Sequence, residues 1–278
     1  MSRQVRALLA GACMTAVVAC AGSAVESTPP PAVAPQVPEL KPGVPAGYLG
    51  RALPDSLALV PQPPAPGSSA FAQDEAVHKA AQALRNTPRD TLATSDADLH
   101  FPHAASTFDC ALGKTVSKDA TPRLYLLLQR TMVDGGMATY KAKDHYKRQR
   151  PFVHYDEHTC APGEEAALRN DGSYPSGHTA IGWTWGLVLV EVAPDRADAV
   201  LARARSFGES RLVCNAHWQS DILAGRTVAA GAVARLHTDA TFRADVAAAR
   251  DELNAAALAD STKCAAESAL VSPITGAL

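Results

Sequence analysis

The chain has 278 residues, 47% of them hydrophobic, 19% charged and 5% aromatic, with a formal net charge of -2. So even a charge balance gives no basic field over the whole molecule, which argues against binding a nucleic-acid polymer and requires any anion site to be local. Few aromatics and long Ala/Leu-rich stretches favour helix burial over strand pairing, so the expected fold class is all-α, one helical-bundle domain with additions at its N-terminus.

Residues 1–20 have the shape of an export signal. Arg3 and Arg6 precede an apolar run from Ala7 to Ala19, too short to span a bilayer. The run ends Val17-Val18-Ala19-Cys20, similar to a bacterial lipoprotein leader in which Cys20 is lipidated and anchors the protein to a membrane. Cleavage without lipidation, after Ala21 or Ala24, stays open. Either way the expected location is periplasmic or tethered to the outer membrane.

Residues 21–67 are rich in Pro and Ala, with PPPAVAPQVP and PQPPAPG within them, and proline at that density prevents regular helix. The stretch reads as an extended tether. An alternative is that Tyr48 to Leu59 packs on the domain as an ordered arm. The domain itself is expected over 68–262, with 263–278 as a C-terminal tail.

Helical signals dominate after Gly67. Ser69 precedes an amphipathic stretch through Leu84, and Thr121-Pro122 marks a helix start. The segment Arg123 to Tyr146 would be about 36 Å long as one helix, with Gly135-Gly136 as a bend. An irregular passage from Pro151 to Tyr174 follows, then an apolar helix from about Pro175 to Val192. Further helices are expected over Asp195 to Ser210, His217 to His237 and Thr241 to Ala257, with no strand pattern of useful length and no internal repeat.

Four cysteines lie beyond the leader: Cys110, Cys160, Cys214 and Cys264. In an oxidising compartment an even number favours two disulfides. Three pairings are open; Cys110 with Cys160 and Cys214 with Cys264 is preferred because each joins segments flanking the candidate site. No C-x-x-C pair supports zinc.

The chemistry concentrates in three places. Lys143 stands seven residues before Arg150, and Pro151 forces Arg150 out of helical backbone. In GSYPSGHT, Gly172 to Thr179, Pro175 suits a helix start. The first-turn amides of Ser176, Gly177 and His178 then lack intrahelical acceptors and, with the positive end of the helix, attract a phosphate. Lastly, Ser210-Arg211 is followed by His217 and Asp221, four apart, which in a helix puts carboxylate beside imidazole. An Asp on one ring nitrogen holds the tautomer that leaves the other free to attack, and the planar fork of Arg211 suits two phosphate oxygens.

Together, with the same internal spacings, these elements resemble the three-part signature of the superfamily containing type 2 phosphatidic acid phosphatases and vanadium-dependent haloperoxidases. The GSYPSGHT octet resembles that of the class A bacterial non-specific acid phosphatases, and the likeness spans roughly Ala70 to His237. It implies a helical bundle of that kind. It also implies a phosphohistidine on His217, oriented by Asp221, with His178 as acid and then base. Lys143, Arg150, Ser176, Gly177 and Arg211 would hold the phosphate oxygens, with neither metal nor cofactor. Substrates would be small phosphate monoesters such as nucleotides, sugar phosphates and aryl phosphates, and an alcohol could replace water as acceptor.

Two other readings compete. A vanadium haloperoxidase would use a similar pocket for vanadate, but Tyr174 before the proline favours the phosphatase. A non-catalytic phosphate-binding surface protein would need the cations and amides but not His178, His217 and Asp221 together. The HYDEH run, His154 to His158, could suggest a metal site, but a polar loop is preferred because no third ligand is placed. Exposed helical faces permit a homodimer without requiring one.

Overall fold

A helix that is apolar all round has to lie among other helices, and Gly177–Val192 does: none of its residues is exposed. The computed structural model describes residues 35–274. The leader and Cys20 lie outside the described residues, so neither cleavage nor lipidation is addressed.

In chain order the elements are strands β1 (Glu39–Lys41) and β2 (Val44–Pro45), then helices α1 (Ser56–Leu59), α2 (Ser69–Gln82), α3 (Pro88–Ala97) and α4 (Asp109–Leu112). Next come α5 (Pro122–Met137), α6 (Tyr140–Tyr146), α7 (Pro151–His154) and α8 (Glu165–Leu168). The remainder is α9 (Gly177–Val192), α10 (Ala197–Val213), α11 (Gln219–Leu236), α12 (Ala240–Ala255) and α13 (Ser261–Ser268). The fold is all-α as expected; the antiparallel β1–β2 ribbon is the only sheet among the described residues. No described helix is long and apolar enough to cross a membrane.

Helix α9 packs on α5, α10, α11 and α12. Trp185 is fully buried at its centre, and its indole donates to the Leu128 carbonyl of α5 at 2.9 Å, which satisfies the one polar atom that burial would otherwise leave stranded. Gly135 does not bend α5. A Cβ there would lie 2.8 Å from Thr184 Oγ1 and 3.2 Å from the Ala180 carbonyl, so its bare backbone is what lets α5 approach α9. The expected single helix over 123–146 instead breaks at Ala138-Thr139, where the Thr139 hydroxyl and amide both turn back on the Gly136 carbonyl.

Part of the expected tether is an arm on the helical body. The amides of Tyr48 and Leu49 donate to the two oxygens of Asp134 at 2.8 and 3.0 Å, and the Tyr48 ring lies 3.5 Å below the Arg130 guanidinium. Farther on, Ser56 Oγ accepts the Ala142 amide of α6, and the Pro61 carbonyl accepts the Tyr174 hydroxyl. The arm thus braces two segments that carry site residues.

The disulfides are Cys110–Cys264 and Cys160–Cys214, not the preferred pairing. Flanking the site was a poor criterion. Cys214 follows α10 and already shares a backbone hydrogen bond with Cys160, while α13 returns to pack on α4, bringing Cys264 to Cys110. The expected boundary at 262/263 therefore falls inside α13, and Ile274 beyond it is buried against Val77, Ala81, Ala93 and Leu212.

Candidate active site

The site forms where α6, the N-termini of α9 and α11 and the C-terminus of α10 meet. Helix α9 begins two residues later than expected. Pro175, reached through a cis bond from Tyr174, stops short of the helix, and Ser176 is the cap. Ser176 Oγ accepts the Thr179 amide at 3.2 Å and the Thr179 hydroxyl at 2.9 Å. Having accepted twice, this hydroxyl keeps its own proton to donate. The Ser176 amide, expected to face an anion, instead donates to the Asp221 carbonyl. The amides of Gly177 and His178 remain in the first turn, where no intrahelical acceptor is within reach.

His217 lies just ahead of α11 rather than on it, so its pairing with Asp221 is a feature of a helix start. Asp221, in the first turn, accepts the Trp218 amide at 2.8 Å on Oδ2, and the same oxygen lies 3.3 Å from His217 Nδ1. On the other side of the ring, Arg150 Nη1 is 3.0 Å from Nε2. A guanidinium only donates, so Nε2 carries the lone pair and Nδ1 the proton.

Arg150 has extended backbone ahead of Pro151, as the sequence required. Its guanidinium and the ammonium of Lys143, from the last turn of α6, converge on Asp171. Lys143 Nζ donates to Asp171 Oδ2 at 3.0 Å and to the Gly172 carbonyl; Arg150 Nη2 reaches the same Asp171 oxygen at 2.9 Å. The Lys143 stem also lies against α9, since a Cβ on Gly177 would be 3.8 Å from Lys143 Cε. Arg211, fully buried in the last turn of α10, has no hydrogen-bond partner at Nε and only a sulfur contact, 3.8 Å to Cys214, at Nη1. His178 Nε2 is 3.0 Å from the Ala97 carbonyl at the end of α3. A carbonyl only accepts, so Nε2 bears hydrogen and Nδ1 is left to take or give a proton.

Charge and burial act on all of these groups. Burial first, then Arg150, Lys143 and Arg211, hold the His217 imidazole well below its ordinary pKa, with the Ser173 carbonyl opposing. Burial and then Arg211 do the same to His178, which also feels His217 and Arg150. Lys143 is pushed down to about 8 by burial and by Arg150, and Arg211 down to about 10 by burial. Three cations and two neutral imidazoles therefore lie within electrostatic reach of one another, an arrangement that a bound dianion would stabilise.

Four contributors were not identified from the sequence. Arg148 donates to Asp221 Oδ1, Ser220 Oγ and Asp74 Oδ2, each at 2.7 Å, and the Ser220 hydroxyl donates to Asp74. Asp74 did leave a signal, an acid on the buried stripe Phe71, Asp74, Val77, His78 and Ala81 of α2. Arg148, Ser220 and Asp171 left none. The HYDEH residues take separate partners: His154 packs edge-on against Trp218, Glu157 accepts Asn215 Nδ2, and His158 faces Glu165.

Residues 124–244 match the PAP2 superfamily. The non-specific acid phosphatase of Providencia stuartii is 44% identical over 199 residues, which cover 71% of this chain and 80% of that protein. The acid phosphatase of Zymomonas mobilis is 41% identical over 202 residues, 73% and 76% of the two chains, and the non-specific acid phosphatase of Salmonella typhi 41% over 201, 72% and 80%. Likeness of this degree, over most of both chains and across every element that builds the pocket from α5 to α11, shows that the chain belongs to the class A non-specific acid phosphatases of the PAP2 superfamily.

Proposed function

We propose that this acid phosphatase hydrolyses small phosphate monoesters through a phosphohistidine on His217. The observation that supports this reading is the His217 ring itself, with Nδ1–H toward Asp221 and an unprotonated Nε2 beside Arg150. Nε2 bonds to phosphorus as the P–O bond to the leaving group breaks. His178 Nδ1 delivers a proton to the departing alkoxide, which leaves as the alcohol. Water then attacks phosphorus, giving its proton back to His178 as the N–P bond breaks and inorganic phosphate is released.

Lys143, Arg150 and Arg211, with the Ser176 hydroxyl and the Gly177 amide, hold the non-bridging oxygens. Phosphoryl transfer depends mostly on positioning and charge neutralisation, and these cations supply both without a metal ion. Burial and then Arg211 depress the pKa of His178, with Arg150 adding to the shift; the charge of a bound phosphate opposes the part due to the two arginines and so favours the protonated imidazole that the acid step needs. Two disulfides in the domain favour action in an oxidising compartment, in keeping with export.

The test is release of nitrophenol from p-nitrophenyl phosphate at mildly acidic pH in EDTA, beside His217→Ala. Full activity in chelator that vanishes in the variant is the expected result. Dependence on an added divalent ion, or an active variant, would sink the mechanism.

A further inference from the structure

Arg150 has no spare donor in the resting pocket. Its Nε–H lies between the carbonyls of Leu168 and Asp171, both at 3.0 Å. Nη1 donates to the Ala216 carbonyl and faces His217 Nε2, each at 3.0 Å, while Nη2 donates to Asp171 Oδ2 at 2.9 Å and to the Gly172 carbonyl at 3.4 Å. Lys143 likewise has two of its three protons on Asp171 Oδ2 and Gly172. The carbonyls among these acceptors are fixed by the backbone. Only two acceptors can leave without moving the chain: the His217 lone pair, which a phosphorus atom would take, and the Asp171 carboxylate.

We propose that Asp171 is an internal stand-in for the substrate phosphate, an affinity-setting residue that occupies Lys143 and Arg150 at rest and is displaced when a phosphate binds. The inference rests on the phosphate-binding role given to those two cations above. The carboxylate is suited to exchange. Its side chain is 33% exposed whereas Lys143 and Arg150 are 3% and 2% exposed, so it has solvent to move into and they do not. Rotation about its Cα–Cβ bond frees one donor on each cation while the Asp171 carbonyl keeps its hold on Arg150 Nε. A pocket open only part of the time binds every phosphate more weakly by that fraction, product included, so Asp171 trades affinity for release.

A residue that merely ordered the two cations would have the opposite effect when removed, and this separates the readings. Inorganic phosphate is titrated calorimetrically into the full chain, its Asp171→Asn and Asp171→Ala variants and, as a charge-retaining control, Asp171→Glu, at one pH and ionic strength. The expected result is about ten-fold tighter binding in the neutral variants, a modest share of what one unit charge at hydrogen-bonding range contributes near a protein surface, with Asp171→Glu near wild type. Unchanged or weaker binding in whichever neutral variant melts as wild type does would overturn the proposal. Because binding is read without turnover, a wild-type enzyme that bound phosphate but failed to hydrolyse p-nitrophenyl phosphate would count against the catalytic reading and leave this one standing.

Discussion

Arg148 Nη1 stands 2.7 Å from Asp221 Oδ1, so the acid paired with His217 is itself held by a largely enclosed cation whose other arm grips Asp74 of α2. The two oxygens of Asp221 divide their partners, with Oδ2 serving Trp218 and His217 while Oδ1 serves Arg148. Burial works against the charge on Arg148, yet Asp221 and Asp74 together hold its pKa above the ordinary value. A carboxylate released from that grip could rotate away from the imidazole. Arg148→Gln is therefore expected to lower kcat by about 10- to 100-fold, the range typical of partners one step behind a reacting group, with KM changed far less. Arg148→Lys should recover part of the loss because it can keep one of the two contacts. A fall in kcat/KM carried by KM alone would place Arg148 in phosphate binding instead.

Lys143 gives a pH dependence with a definite sign. Its pKa is pushed down to about 8, so in the free enzyme the ammonium is charged below that pH and lost above it. Inorganic phosphate is mostly dianionic there, and losing the rest of its second proton strengthens its attraction to the cations, so its own ionisation does not mimic a weakening. Inhibition by phosphate is expected to weaken as pH rises through 8, and Lys143→Arg, whose guanidinium stays charged, should abolish that slope. An inhibition constant flat across the same range in the wild type would mean that Lys143 does not contribute charge to the bound anion.

How much of this could be read from the chain depends on how local each feature is. That His217, His178, Lys143, Arg150 and Arg211 belong together was legible because each sits in a short run whose spacing has a chemical meaning, and the fold brings them within electrostatic reach of one another. The helix starts at Thr121-Pro122 and near Ser176 were legible because caps are local too. What failed was what depends on one segment meeting another. The His217–Asp221 pair looked like a helix face and is a helix start, since nothing in the spacing says that the first turn begins at Gln219. The disulfide pairing is not local either, since only packing shows α13 returning to α4. Arg148 stood among other basic residues, and its part in the site emerges only once α2 and α11 are seen to close on it.

Helices α9 and α11 cross at Gly225, where the fold sets the position of the Ser176 cap. A Cβ there would lie 2.7 Å from the Ser176 carbonyl and 3.1 Å from Thr179 Cβ, and backbone does not yield as a side-chain tip does. Gly225→Ala is expected to cost about 1–3 kcal/mol as an overpacked contact and to lower kcat/KM by displacing Ser176 and the Gly177 amide. Gly231→Ala is the matched control on the same helix: its new methyl would meet only the Leu59 side chain of the arm, whose tip can move. Thermal melts and p-nitrophenyl phosphate kinetics on both variants check this. Equal activity losses would mean that α11 tolerates the shift and that the cap is not set by this crossing.

Asp109 lies away from the pocket and links stability to pH. It is buried beneath the Cys110–Cys264 end of the domain, and burial raises its pKa to about 6, against the Val116 amide and Lys263, which favour the charge. An unfolded Asp loses its proton near pH 4, so between about 4 and 6 the folded state keeps a proton that the unfolded state has released. Stability from this group is therefore complete below pH 4, declines as pH rises to 6 and is flat above. Asn at this position has no proton to lose and keeps an acceptor for the Val116 amide. Asp109→Asn is expected to be about as stable as wild type at pH 4 and more stable by about 3 kcal/mol at pH 7, scaling from the shift in pKa. Denaturant melts of both proteins at the two pH values decide it: the same difference at both would show that the substitution acts through packing and not through the buried charge.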